Sequence, residues 1–147
     1  MKTLILSAVL AATTALGAAG AWADEAKKLV TVVTSPEPQT QLMAMVLTMQ
    51  AAQQGANAHI LLCGAAGDLA LKDAPETATA AQPPKNLSPQ GLMQMIQTKT
   101  GATVEVCAIY LPGLGKDASV LLDGIGVAKP GEMAAKLMAP DARVLSF

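Results

Sequence analysis

Two cysteines are the residues of this sequence best suited to chemistry, and each one ends a stretch that favours a β-strand. Residues 102–108 alternate apolar and polar side chains, and their last strand-like residue is Cys107. Residues 58–63 form a second apolar run, which ends at Cys63. Open α/β sheets bind ligands at the carboxyl ends of their strands. The sequence therefore predicts that the thiol of Cys107 is a catalytic group.

A reactive Cys107 requires a thiolate, because the thiolate rather than the thiol is the nucleophile. The segment after Cys107 contains Gly113 and Gly115 and is predicted to lead into a short helix, whose backbone N–H groups would stabilise the anion. Lys116 is a candidate cation that is near in sequence only. The opposing interpretation is that Cys107 packs as a small, inert hydrophobic residue.

The other polar residues form no recognisable catalytic or metal-binding pattern. His59 is the only histidine and lies within a predicted strand, where a packed or surface role is expected. The acidic residues, Glu105 among them, form no recognisable pair. The chain contains several methionines, whose sulfur is a soft ligand for Cu(I). Their predicted positions on helices favour core packing or subunit contacts instead. They are Met43, Met45, Met49, Met93, Met95, Met133 and Met138. No metal site and no cofactor is predicted.

The first residues have the three parts of a secretory signal peptide. Lys2 supplies a positive start, residues 3–16 are apolar, and Ala21-Trp-Ala23 forms an A-x-A cleavage signal. The apolar run is shorter than the roughly 20 residues of a membrane span. Cleavage is predicted after Ala23. Residues 24–147 then form one exported domain, most simply in a bacterial periplasm and free of the membrane.

The composition argues against nucleic-acid binding and for self-association. The chain has 10 Lys and Arg against 11 Asp and Glu, with one Trp, one Tyr and one Phe. Nucleic-acid binding needs phosphate-neutralising charge and usually stacking aromatic side chains. Hydrophobic residues make up 52% of the chain. In a small domain with few charges, this predicts apolar helix faces that pack against other subunits.

Alternating strand and helix signals predict an α/β fold. Strands are expected at residues 28–34, 58–63, 102–108, 125–128 and 143–147. Helices are expected from Ser35-Pro36 to Gly55, from Ser88-Pro89 to Gly101, at 117–122 and from Pro130 to Met138, and residues 72–86 are predicted to be a long loop. Such alternation favours parallel strand pairing. The expected architecture is a three-layer α/β/α sandwich with a five-stranded, mainly parallel sheet.

Several motifs occur in an order that is informative as a set. They are Gly55-Ala-Asn-Ala-His-Ile-Leu-Leu62, Gly67-Asp-Leu-Ala70, Gly101-Ala-Thr-Val-Glu-Val-Cys107, Asp123-Gly124 and Val144-Leu-Ser-Phe147. In this order the sequence resembles the DsrE/DsrF-like family, in an exported branch, over the whole of residues 24–147. The resemblance implies a five-stranded parallel sheet and assembly into trimers or hexamers. It also implies a persulfide-carrying cysteine, which by position is Cys107.

The resemblance further implies that the strands ending at Cys63 and Cys107 are neighbours. Adjacent strands lie about 4.8 Å apart, which is compatible with the Cα separation of a disulfide. Three interpretations stay open at this point, because the sequence does not define the strand register. Cys63 could form a structural disulfide with Cys107, form a redox-active pair with Cys107, or remain a separate thiol.

The leading hypothesis is a periplasmic protein that accepts or relays sulfane sulfur as a persulfide on Cys107. Its expected partners are a sulfur donor or acceptor protein and further copies of itself. The alternative is a non-catalytic oligomeric binding or assembly protein on the same fold, with Cys63 and Cys107 packed or bonded to each other.

Overall fold

The computed structural model describes residues 27–147, and the predicted signal peptide at residues 1–23 lies outside them. The strands are β1 (Lys28–Val33), β2 (Asn57–Leu62), β3 (Thr103–Val106), β4 (Gly126–Val127) and β5 (Ala142–Ser146). The α-helices are α1 (Pro38–Gln53), α2 (Glu76–Thr79), α3 (Pro89–Thr100), α4 (Tyr110–Leu114) and α5 (Pro130–Leu137), with 3₁₀ helices at Gly64–Ala70 and Ala118–Val120. Among the described residues, no helix combines the length and apolar character needed to cross a bilayer.

The five strands form one sheet in the order β4-β3-β2-β1-β5, and every neighbouring pair is parallel. All residues of β2 after Asn57 are buried, as expected of a central strand covered on both faces. The edge strand β5 contains no fully buried residue. This arrangement confirms the predicted α/β fold with a five-stranded sheet between helices.

Alternate residues of the central strands point to two separate cores. Ile60 and Val104 belong to the larger core, which the buried residues of α1 and α3 complete. Val30 and Leu61 point the other way and form a smaller core with Met133 of α5. The two faces of the sheet are therefore covered unequally, with two long helices on one side and an eight-residue helix on the other.

The two long helices begin differently. Helix α3 begins at Ser88-Pro89 as predicted, and Ser88 caps it, since its Oγ accepts a hydrogen bond from the Gly91 N–H at 3.0 Å. Helix α3 ends at Gly101, whose φ of 71° is in the left-handed region that favours glycine. Ser35 is a residue type that can cap a helix, but it does not cap α1, which begins at Pro38 without a side-chain cap. Ser35 Oγ accepts from the Glu37 N–H at 3.1 Å before the helix begins.

The buried face of α1 is displaced from the predicted one. Leu42, Met45, Val46 and Met49 recur at the i, i+3, i+4, i+7 spacing of one helix face, which predicts that these four residues are buried. The buried residues of α1 are Gln41, Ala44, Met45, Thr48 and Met49, whereas Leu42 and Val46 are half-buried. The buried face therefore includes two polar side chains that are satisfied locally: Gln41 Nε2 donates to the Ser35 carbonyl at 2.8 Å, and Thr48 Oγ1 donates to the Ala44 carbonyl at 2.7 Å.

Two segments predicted as irregular contain helix. Residues 72–86 include the short helix α2. The segment after Cys107, which the sequence predicts to be a loop that ends the strand and leads into a short helix, itself folds as α4, which ends at Gly115 with a φ of 63°. The helix predicted at 117–122 is reduced to the 3₁₀ turn Ala118–Val120.

A buried pair of hydroxyl groups joins the sheet to α1. Thr31 of β1 and Thr48 of α1 are both fully buried, and their Oγ1 atoms lie 2.7 Å apart. Because Thr48 donates its hydroxyl proton to the Ala44 carbonyl, the Thr31 hydroxyl must donate to Thr48. A chain of two hydrogen bonds thus satisfies both hydroxyl groups inside the core.

This arrangement predicts a non-additive double-mutant cycle in urea unfolding. Thr48→Val should lower the free energy of unfolding by about 2 kcal/mol, because it leaves the Thr31 hydroxyl buried without an acceptor. Thr31→Val should cost about 1 kcal/mol, since Thr48 keeps its bond to Ala44. The double variant should be more stable than Thr48→Val alone. Additive losses would contradict this direction of donation from Thr31 to Thr48.

Candidate functional site

The pairing of β2 with β3 brings the two cysteines together. Ile60, Leu61 and Leu62 pair with Val104, Glu105 and Val106, and the next step of this register sets Cys63 opposite Cys107. The Cys107 N–H donates to the Leu62 carbonyl at 2.8 Å, which continues the strand pairing. The Cα atoms of Cys63 and Cys107 are 5.1 Å apart, and the two residues form a disulfide.

The disulfide lies at the carboxyl ends of two adjacent strands, on the thinly covered face of the sheet. Cys63 and Cys107 both pack against the small core of Val30, Leu61 and Met133. Both are half-buried rather than enclosed. The bond is thus held by packing on one side and approachable from the other.

The structure differs from the predicted thiolate site in two respects. The described residues include no free cysteine, so the two sulfurs form the bonded pair that the sequence left as one alternative. The predicted anion cradle is wrong. Gly113 and Gly115 lie in and after α4, where their N–H groups donate to the Ile109 and Pro112 carbonyls, and Lys116 is exposed beyond the helix.

Tyr110 joins the two segments that follow the cysteines. Its hydroxyl donates to Asp68 Oδ1 at 2.7 Å, which links α4 to the 3₁₀ helix Gly64–Ala70. Gly67 lies against the Tyr110 ring so closely that a Cβ there would overlap it. Burial and the neighbouring Asp68 carboxylate raise the pKa of Tyr110, so its hydroxyl keeps its proton as a donor. Sequence reasoning missed this contact, whose only signal was the single tyrosine shortly after Cys107.

A second polar group, His59 with Glu105 and Lys136, lies on the same face of the sheet. His59 Nε2 is 2.8 Å from Glu105 Oε2, although the two atoms are not aligned for a hydrogen bond. Lys136 of α5 brings its Nζ to 3.4 Å from His59 Nδ1 and 3.7 Å from Glu105 Oε2. The sequence predicted no partner for either His59 or Glu105, because the contact depends on the strand register.

Burial and then the Lys136 ammonium lower the pKa of His59 from 6.5, while the Glu105 carboxylate opposes them. The imidazole is therefore neutral in the folded protein at neutral pH. Within residues 27–147, no group of three His, Cys, Asp or Glu side chains is placed to hold a metal ion.

Removing the Tyr110 hydroxyl should loosen the two segments beside the disulfide. Tyr110→Phe keeps the ring against Gly67 and deletes the hydrogen bond to Asp68, so the free energy of unfolding should fall by about 1–2 kcal/mol in denaturant titration. Asp68→Asn retains an oxygen acceptor and should lose less. Equal stability of Tyr110→Phe and wild type would mean that the hydrogen bond between Tyr110 and Asp68 contributes nothing to the free energy of unfolding.

The lowered pKa of His59 predicts a loss of stability on mild acidification. In the window just below pH 6.5 the unfolded chain binds the imidazole proton more readily than the folded protein does, so the free energy of unfolding should decrease as the pH falls. His59 is the only histidine, and His59→Gln should flatten this part of the profile. Parallel profiles for the variant and wild type between about pH 7 and pH 5 would contradict the prediction.

Comparison with known proteins gives a likeness of fold. No family model and no curated protein matches the sequence. The crystal structure of the ychN protein from E. coli superposes with a TM-score of 0.64 and 18% identity, over 83% of this chain and 99% of that chain. MTH1491, a protein of unknown function from Methanobacterium thermoautotrophicum, gives a TM-score of 0.59 and 11% identity, over 82% and 99% of the two chains. The chain therefore shares its fold with these two proteins.

Proposed function

We propose that this protein handles sulfane sulfur through its two cysteines, with Cys107 accepting the sulfur and Cys63 releasing it. The observation that carries the proposal is the disulfide between them, because thiols that bond directly when oxidised are within reach of each other when reduced. The likeness of fold to DsrE-like proteins is consistent with this role.

The chemistry takes two displacement steps and one reduction. The Cys107 thiolate attacks the outer sulfur of a donor persulfide, R–S–SH, so that Cys107 carries –S–SH and the donor leaves as R–S⁻. The Cys63 thiolate then attacks the sulfur of Cys107 itself. The Cys107 persulfide bond breaks, the disulfide forms and HS⁻ leaves. An external dithiol returns two electrons and two protons and regenerates both thiols. If an acceptor thiolate takes the outer sulfur first, the same persulfide serves a relay.

The surroundings of the two cysteines favour Cys107 as the acceptor. The residue two positions after it, Ile109, is 81% exposed, and β4, beside β3, has only two residues. Cys63 is followed by a 3₁₀ helix that buries Ala66 and Leu69. A donor therefore meets less protein on the Cys107 side.

The proposal includes export to the periplasm and assembly into a homo-oligomer, either a trimer or a hexamer. An oxidising compartment favours the disulfide form as the resting state. Subunit contacts usually cover exposed apolar side chains. Apart from Ile109 beside the disulfide, the exposed large apolar residues outside α1 in the described part of the chain are Leu114, Val127, Met138 and Val144.

A structural disulfide is the second candidate, and its supporting observation is the length of chain that it closes. Cys63 and Cys107 are separated by 44 residues, for which the chain-entropy estimate gives about 4 kcal/mol of stabilisation. In that case the protein is a non-catalytic binding or assembly protein whose disulfide does no chemistry.

The two candidates are separated by loading the reduced protein with sulfur. After reduction with a dithiol and removal of the reductant, a limiting amount of inorganic polysulfide is added and the intact mass is measured. Cys63→Ser should retain a persulfide on Cys107 and gain the mass of one sulfur atom. Reduced wild type should release hydrogen sulfide and return to the disulfide, because Cys63 resolves the persulfide.

Cys107→Ser is the matched control and should gain no sulfur under the same conditions. The double variant Cys63→Ser/Cys107→Ser defines the background. Equal loading of the two single variants, or no loading of either, would remove the sulfur-handling proposal and leave the structural disulfide.

A further inference from the structure

An apolar groove runs along the outer side of the helix layer, remote from the disulfide. It lies between α1 and α3, below residues 82–87, and has a volume of about 530 Å³. Its floor includes Met49 and Leu92, which are 6% and 4% exposed. This volume lies within the roughly 300–1,000 Å³ of typical small-molecule sites. The groove does not depend on the sulfur chemistry proposed above.

The groove extends along nearly the whole of α1. Its lining includes Gln39 near the start of the helix and Gln53 at its end, which the helical rise sets about 21 Å apart. Leu42, Met43 and Val46 form its apolar wall along this length. The shape suits a narrow, extended apolar chain better than a compact ring system.

The charges around the groove have one sign. Among the described residues that line it, Lys85 and Lys99 are the only charged ones, and there is no aspartate or glutamate. Both lysines are exposed, so their ammonium groups can meet an anion at the rim without being desolvated first. An apolar wall with cations only at its rim is complementary to an amphiphile that has an anionic head.

We propose that this groove binds a single apolar chain with a terminal carboxylate, the chemical class of a free fatty acid. The tail lies between α1 and α3 against the methionines, whose flexible side chains adapt to an apolar ligand. The carboxylate is held at the rim by Lys85 or Lys99.

A two-fold contact with a second copy of the chain fits this groove less well than an amphiphile does. A two-fold contact joins the same patch of both subunits, so the lysines of one copy would approach those of the other. Within residues 27–147, no acidic side chain lines the groove to compensate this repulsion.

Dodecanoate below its micelle concentration is a suitable probe, titrated into the disulfide-bonded protein by calorimetry. Dodecanoate should bind, whereas dodecyltrimethylammonium, which has the same tail and the opposite charge, should bind at least about tenfold more weakly. Lys85→Gln/Lys99→Gln should weaken dodecanoate binding by about three- to tenfold, because each exposed charge pair contributes modestly. Lys116→Gln, an exposed lysine outside the groove, is the matched control and should bind as wild type does.

The tail site is tested by a pair of variants on α1. Met43 is 51% exposed and lines the groove, whereas Leu47 is 42% exposed and does not. Met43→Gln should weaken dodecanoate binding several-fold and Leu47→Gln should leave it unchanged, because exposed positions tolerate substitution without unfolding the protein.

Three results would overturn the proposal. They are no binding of dodecanoate, equal binding of the two probes of opposite charge, and equal effects of Met43→Gln and Leu47→Gln. Self-association that Met43→Gln abolishes and dodecanoate does not disturb would assign the groove to a second copy instead. None of these results depends on sulfur loading, so the two proposals fail or survive separately.

Discussion

The parallel, in-register pairing of β2 with β3 is the constraint on which the rest of the candidate site depends. It sets Cys63 opposite Cys107 and His59 within reach of Glu105. A slip of one residue would turn Cys107 to the opposite face of the sheet and separate it from Cys63. Alternate residues of these strands belong to different cores, which opposes such a slip. A slip would turn a residue such as Val104 out of the larger core that it shares with its partner Ile60.

The unequal covering of the sheet explains where reactive groups can be reached. The face below α1 and α3 contains the larger core, in which a disulfide would be enclosed. The opposite face has only the short helix α5 and a core of a few residues among those described. The disulfide and the His59 cluster both lie on this face, so a half-exposed bond occurs beside strands that are otherwise buried. Tyr110 and Asp68 hold the adjoining segments in place.

The groove on the other side has its origin in the same packing. Helix α1 turns Gln41 and Thr48 toward the protein interior, where each finds a hydrogen-bond partner. This rotation leaves Leu42 and Val46 half-buried along the groove. A helix that is apolar around much of its circumference cannot bury every apolar residue against a single sheet. The apolar wall of the groove is thus the side of α1 that the sheet does not cover.

Much of this protein follows from its sequence alone. The apolar runs that end at Cys63 and Cys107, the capping serine Ser88 and the glycine stop Gly101 have strong local signals, and they suffice for an α/β sheet with both cysteines at strand ends. Local sequence signals fail where contacts with distant segments determine the structure. The inward face of α1, the helix α4 and the partners of His59 depend on contacts across the fold. Whether Cys63 and Cys107 bond was settled only by the tertiary structure, because strand order, register and side-chain direction must all agree before two sulfurs meet.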